Sequence, residues 1–293
     1  MIVGLVGCGQ WGAYVLRDLR ALGCEVPVVA RSEESVARAG DGGADSVVPS
    51  IDALARVDGL VVSTPIATHA AVLDEALDLG VPVFVEKPLC DDPNDAARLA
   101  AVAPDRLFVM DKWRYHPGVL ALAALARDGS LGRVRGLRTL RVQPENRHAE
   151  DGVWVLAPHD LAIAIEALGS VPSPVAARGV WEGDHLVTLH ALLDTPLGWH
   201  ALEVSERAPA VARRVELHCD EGIAVLAGGW DEHVEVHVNG AEPTRIETRG
   251  ELPLLAELRA FVGFLEGGPP PRSSVADGAS IVRAIDGLRA LAA

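Results

Sequence analysis

No stretch of this chain reaches the roughly 18 consecutive apolar residues that a membrane-spanning helix needs. Positive charge is scarce too: 26 Lys and Arg stand against 41 Asp and Glu, a formal net charge of −15. Nucleic acids and anionic membrane surfaces are recognised through clustered positive charge, so neither is an expected partner. Cysteine is sparse, and Cys8, Cys24, Cys90 and Cys219 form no close pair and no metal-ligand spacing. That excludes a disulfide framework and gives no cysteine metal site; reduced, buried thiols are the expectation. His233 and His237 share one face of a strand-like run, but no third ligand clusters with them, so no metal is expected. Internal repeats and low-complexity segments are absent. The first strand-like run begins at Ile2, leaving no room for a signal peptide, and a cytoplasmic protein is expected.

What is present fits two domains. The chain has 293 residues, of which 49% are apolar, enough for a sizeable core in each. Up to about residue 110, strand-like runs (Ile2–Val6, Val26–Ala30, Ser46–Val48, Gly59–Ser63, Val81–Val85, Leu107–Met110) alternate with helical patterns (Trp11–Leu22, Glu33–Ala39, Ala70–Leu79, Pro93–Ala101). The strands are apolar almost throughout, which suggests burial on both faces and a parallel sheet between helical layers. This is the pattern of a Rossmann-type, doubly wound domain over residues 1–117. Beyond it, a helix at Gly118–Arg127, a strand at Val134–Val142 and a helix over Asp160–Leu168 precede a succession of strands joined by short turns. These run through Val175–Trp181, Leu186–Leu193, Gly198–Val204, Arg213–Cys219, Ile223–Leu226 and Val234–Val238. Two amphipathic helices, Leu254–Leu265 and Val275–Leu291, close the chain. Residues 118–293 therefore read as an α+β domain with a large, mainly antiparallel open sheet.

Two short segments carry the chemistry. Gly7-Cys8-Gly9-Gln10-Trp11-Gly12 follows the first strand and opens a helix. Such a turn sets backbone N–H groups and the positive end of a helix against a pyrophosphate, which points to a dinucleotide. Glycines kept only for close helix–strand packing are the plainer alternative. Cofactor choice is read some 20 residues on, where a carboxylate would bond a ribose hydroxyl and a guanidinium would pair with a 2′-phosphate. The chain has Ala30-Arg31-Ser32 there, with no acid before Glu33, which favours NADP over NAD. The opposing reading leaves Arg31 in solvent and bends Glu33 or Glu34 back to the ribose. The second segment is Glu86-Lys87-Pro88, ending a later strand, where open α/β sheets bind ligands. There the Lys87 ammonium can stabilise a developing alkoxide or relay its proton; pairing with Glu86 is the structural alternative. His159, in Ala157-Pro158-His159-Asp160, stands at the expected start of a helix, as a proton carrier or as a cap. Arg147 is a candidate for holding an anionic group of a substrate, against plain surface charge.

The chain resembles the Gfo/Idh/MocA family, the glucose–fructose oxidoreductase and inositol dehydrogenase relatives. The matching pieces are the glycine loop, Ser63-Thr64-Pro65 with His69, Val85-Glu86-Lys87-Pro88-Leu89, Arg114-Tyr115-His116-Pro117, and Trp154-Val155-Leu156-Ala157-Pro158-His159-Asp160. The resemblance implies hydride transfer between NAD(P) and a carbinol or keto carbon of a sugar, nucleotide-sugar, cyclitol or related small molecule. It makes Lys87 and His159 the catalytic pair. Gly7, Gly9, Gln10, Trp11, Gly12, Arg31, Ser32, Thr64, Pro65, His69, Glu86 and Lys87 become cofactor contacts. Arg114, Tyr115, Arg147, Trp154 and Asp160 become substrate contacts. It further implies a homodimer or homotetramer built through the C-terminal sheet. Around Trp154 and Pro158 the likeness is to nucleotide-sugar and amino-sugar dehydrogenases. One position departs: many members carry an aspartate four residues before this histidine, and here Val155 stands. A dinucleotide-binding regulatory protein without turnover, and an imine reductase, are the alternative readings.

Overall fold

The computed structural model describes residues 1–144 and 151–293, and Arg147 lies outside the described residues. The chain divides into two compact units, residues 1–112 with 252–282, and residues 113–251 with 283–293. Among the described residues no helix is long and apolar enough to cross a membrane.

In the first unit β1 (Val3–Val6), β2 (Pro27–Val29), β3 (Ser46–Val48), β4 (Gly59–Val62), β5 (Val83–Glu86) and β6 (Leu107–Met110) form one sheet. Its order is β3-β2-β1-β4-β5-β6 and its pairs are parallel. The connections are α1 (Gln10–Ala21), α2 (Glu33–Asp41), α3 (His69–Asp78) and α4 (Pro93–Val102). Every residue of β1, β2, β4 and β6 is buried, as the unbroken apolar runs predict. Helix starts follow local chemistry: the Asp92 side chain accepts from the N–H groups of Asn94 and Asp95, with Pro93 at the first helical position. Strand order reverses between β1 and β4, the switch point where such sheets bind ligands.

The second unit begins with α5 (Pro117–Asp128), β7 (Val134–Val142) and α6 (Gly152–Leu168). There follow β8 (Ser173–Glu182), β9 (His185–Thr195), β10 (Gly198–Ser205), β11 (Ala212–Cys219), β12 (Gly222–Leu226), β13 (His233–Val238) and β14 (Thr244–Glu247). The eight strands run β14-β13-β12-β11-β7-β10-β9-β8, and every pair is antiparallel except β7 with β10. Val119 and Leu122 of α5 and Ile163 and Leu168 of α6 pack on Leu137, Leu217 and Leu226 to make its core. α6 is apolar on nearly every side and correspondingly buried.

The chain then returns. α7 (Pro253–Leu265) lies in the first unit, and α8 (Val275–Ala292) is divided between the two at residue 282. The sequence suggested a single cut between 117 and 118; the structure sends 252–282 back to the dinucleotide-type sheet. Amphipathic periodicity shows that one helical face is buried and is silent about what covers it. Here Phe261 stacks on Phe84 of β5, ring centroids 5.0 Å apart, and Leu254, Leu258 and Phe261 join the core around Leu5 and Val61.

Candidate functional site

The first unit holds the glycine turn. Gly7 has φ +91°, and a Cβ there would stand 2.6 Å from the Ser63 carbonyl oxygen. A Cβ on Gly12 would run into the Gly7 carbonyl oxygen, so α1 sits against the strand only because that Cβ is missing. Gly9 is different: nothing lies within 4 Å of its would-be Cβ, and it is the N-cap of α1 without a side-chain cap. No acid occupies the first turn of α1, so its N-terminal N–H groups face an open, uncontested space. A diphosphate fits this cradle. Gln10 and Gly9 are exposed, and Trp11 is partly buried beside them.

Past β2, Arg31 is exposed and donates its Nε–H to the Pro49 carbonyl at 3.4 Å. The Ser32 hydroxyl oxygen caps α2 by accepting from the Ser35 N–H. Two side chains the sequence reading passed over, Ser35 and Arg38, tie α2 to the glycine turn. The Cys8 N–H donates to Ser35 Oγ, and Arg38 donates to the Cys8 carbonyl, both at 3.2 Å. Arg38 also pairs with Glu34, which leaves that carboxylate less available for a ribose.

At the end of β5, Glu86 and Lys87 are partly exposed, and the Lys87 backbone N–H donates to Glu86 Oε2 at 2.9 Å. The Lys87–Pro88 peptide is cis. Trp11 adjoins Glu86, and the Lys112 ammonium sits 3.9 Å from the Trp11 ring centroid. Thr64 and Pro65 lie at the end of β4, with the Thr68 hydroxyl donating to the Pro65 carbonyl at 2.7 Å. His69, expected among the cofactor contacts, is 0% exposed. Its Nδ1 and Nε2 each lie 2.9 Å from a carbonyl oxygen, of Pro88 and Thr64 respectively. Burial outweighs the pull of these carbonyls and, with Lys87 nearby, holds its pKa below the usual 6.5, so the neutral ring donates to one carbonyl and packs against the other. It is a strut joining the β4 and β5 loops, with no edge to offer a ligand.

The second unit gathers a different set. Trp113 stacks on His116 at 4.9 Å and 15°, carries the Arg141 guanidinium 4.3 Å above its ring, and has His159 at 6.4 Å between centroids. Here the structure corrects the expected helix start. α6 begins at Gly152, so His159 lies mid-helix and is no cap. Val155, His159 and Glu166 form a partly exposed stripe on a helix otherwise almost wholly buried, with Val155 one turn before His159. Trp154 is also partly exposed. Pro158 supplies no N–H to the carbonyl of Trp154, leaving that acceptor without its helical donor.

Asp160 is 1% exposed and both its oxygens accept from Arg141, at 2.8 and 3.3 Å. It is an internal ion pair locking α6 to β7, not a carboxylate offered to a substrate. Arg114, 8% exposed, donates to Glu166 at 2.7 Å, and Tyr115 is partly buried beside it. Trp113, the ring around which these groups gather, was not singled out from the sequence, because one aromatic in a short 3₁₀ turn carries no pattern.

Known proteins resemble the chain in a family model over its first 108 residues and in fold over nearly its whole length. Residues 1–108 match the family model described as "Oxidoreductase family, NAD-binding Rossmann fold". A UDP-N-acetylglucosamine 3-dehydrogenase of Acidithiobacillus ferrooxidans is 31% identical over 189 residues, covering 61% of this chain and 58% of that protein. Its solved structure superposes with a TM-score of 0.86 over 99% of this chain and 97% of that one, at 24% identity. An inositol 2-dehydrogenase of Rhizobium meliloti is 24% identical across 97% of this chain and 94% of its own length. A 3-ketoreductase from Actinomadura kijaniata, solved with TDP-benzene and NADP, shares the fold with a TM-score of 0.87 at 24% identity, over 99% and 96% of the two chains.

Proposed function

We infer that this chain is a Gfo/Idh/MocA-type oxidoreductase and transfers a hydride between NAD(P) and a carbinol or keto carbon of a sugar, nucleotide-sugar, cyclitol or related small molecule. The observation that carries this reading is the turn after β1, where Gly9 alone of the three glycines faces open space at an uncapped helix start. The relatives' chemistry, sugar and cyclitol dehydrogenation and 3-keto reduction, supplies the substrate class.

Gly7, Gly9, Gln10, Trp11 and Gly12 would hold the diphosphate, and Thr64, Pro65, Glu86 and Lys87 the far half of the dinucleotide. Bound there, NAD(P) supplies hydride exchange at its nicotinamide ring. Lys87 is the group that polarises the reacting oxygen, and His159 the group that takes or returns its proton, a role open to an imidazole near neutral pH. Asp160 acts through Arg141 by fixing α6, and Trp113 gives His159 an aromatic neighbour. Lys87→Ala is expected to lower turnover about 100-fold or more while cofactor affinity stays within a few-fold, since the diphosphate contacts lie elsewhere. Turnover equal to wild type removes Lys87 from the chemistry.

NADP is the preferred form in this proposal. Arg31 is exposed and makes no ion pair among the described residues, and Glu34 is engaged by Arg38. Tighter binding of NAD than of NADP overturns the preference. We further propose a homo-oligomer through the C-terminal sheet, where Val180 and Leu192 on β8 and β9 are 53% and 44% exposed on one face. Sedimentation of Val180→Glu/Leu192→Glu as monomer beside a wild-type oligomer is the expected result, and a monomeric wild type contradicts it. A cytoplasmic location accords with four free cysteines, one of which, Cys90, is made unreactive by burial that pushes its thiol up to about 11.

A further inference from the structure

The helix that returns to the first unit carries a buried acid for which the chemistry above has no use. Glu257 of α7 is 0% exposed, and no hydrogen-bond donor among the described residues reaches either carboxyl oxygen. Two ring contacts fix where it lies. Phe261 stacks on Phe84 of β5, and Phe264 meets Phe108 of β6 edge-on, both at 5.0 Å between centroids. Phe84 and Phe108 are register partners, so α7 crosses the two strands at that level. One turn back from Phe261 is Glu257, about 6 Å along the helix axis. Two residues on from Phe84 is Glu86, about 6.6 Å along the strand and on the same face of the sheet. The spacings agree. A Cβ on Gly59, the first residue of β4, would stand 2.7 Å from Leu265 Cδ1, so the C-terminal end of α7 lies toward the strand starts and Glu257 lies toward the strand ends, where Glu86 precedes Lys87.

The charged groups facing this acid come from each element packed around it. Glu86 belongs to β5; Asp111, 1% exposed, and Lys112 follow β6. Trp11 of α1 lies under the Lys112 ammonium, and Lys87 adjoins Glu86. Glu257 thus faces two hydrogen-bond acceptors, and an acid can bond an acceptor only by bringing its own proton. Burial raises Glu86 as well, but Lys87, Lys112, Trp11 and the Lys87 N–H from which its Oε2 accepts all pull it back, so of the two acids Glu86 carries the negative charge. Burial first, then Glu86 and Asp111, push Glu257 well above the usual carboxylate range, against the pull of Lys112.

We propose that Glu257 is a positioning residue of the strand-end site, carried as the neutral acid and sharing its proton with the Glu86 carboxylate that precedes Lys87. Its purpose rests on the cofactor reading above; its protonation does not. The infrared spectrum of the cofactor-free protein at pH 7 should contain the carbonyl stretch of a protonated carboxylic acid that is missing from Glu257→Gln. A folded group with a raised pKa loses its stabilising proton as pH rises, whereas glutamine has none to lose. Glu257→Gln should therefore melt with wild type near pH 5 and several degrees above it at pH 8. Glu257→Gln keeps a donor for Glu86 and should bind NADP within about two-fold of wild type; Glu257→Leu, which keeps none, should bind about ten-fold more weakly. Absence of the acid band, or a melting difference independent of pH, overturns the proposal. If wild type binds no nicotinamide dinucleotide the cofactor reading fails, while the infrared and melting results still decide the state of Glu257.

Discussion

A methyl group added at Gly9 meets no atom, whereas one added at Gly7 must sit at φ +91° against the Ser63 carbonyl. The two substitutions should therefore separate folding from binding. Gly7→Ala is expected to cost about 2 kcal/mol or more in denaturant unfolding, from the disfavoured backbone and the close approach. Gly9→Ala should unfold with wild type and yet bind the dinucleotide at least about ten-fold more weakly, because the methyl stands where the phosphates approach. Equal loss of stability in both variants contradicts this division of labour. At this scale the sequence was informative wherever chemistry is local. The glycine spacing, Arg31 and Lys87 are each read from a dozen neighbouring residues. Arg38, Trp113 and Glu257 were not legible, since what matters about each is a partner made available by the fold: the Cys8 carbonyl, His116 with His159, and Glu86.

α6 shows what a strong local signal can hide. The expected helix began after His159, at Asp160. The helix instead runs from Gly152 through the proline to Leu168. Loss of one hydrogen bond at Pro158 costs about 3 kcal/mol. Burial of Val153, Leu156, Leu161, Ile163 and Leu168, at roughly 1.5–3 kcal/mol for each larger side chain, outweighs it. The element is then locked by the Arg141–Asp160 pair, with side chains 3% and 1% exposed. Removing one partner from a buried pair strands a charge, so Asp160→Asn should destabilise by about 3–5 kcal/mol in urea unfolding. Arg141→Met/Asp160→Leu should cost clearly less than the sum of the single changes. Additivity would show that the two side chains do not act as a pair. The β-rich half was legible in outline because turns such as Asp220-Glu221-Gly222 are local, but β14 and the parallel β7–β10 pairing were missed. Pairing across a long connection leaves no short-range mark.

For the molecule as a whole, buried titrating groups set opposite limits on stability. Burial holds His69, His116 and His200 below the usual 6.5, and His200 falls to about 3. The unfolded chain then binds protons the folded chain refuses, so stability is present above about pH 6.5 and is lost as pH falls toward each folded value, by up to about 1.4 kcal/mol per pH unit per histidine. Glu257 acts in the opposite sense above its ordinary range. Urea unfolding of wild type should weaken from pH 6 to pH 4, and His200→Gln should weaken less steeply by about one proton. Identical slopes would mean that His200 is charged in the folded state. With a net charge of −15, a phosphate-bearing ligand depends on local positive groups, which in the proposed site are Arg31, Arg38 and the N-terminus of α1. Calorimetric titration of the purified protein with NADP and NAD, on wild type and Gly9→Ala together, addresses this directly. A stoichiometric heat with wild type that collapses in the variant is the predicted result; no heat with either dinucleotide on wild type contradicts it.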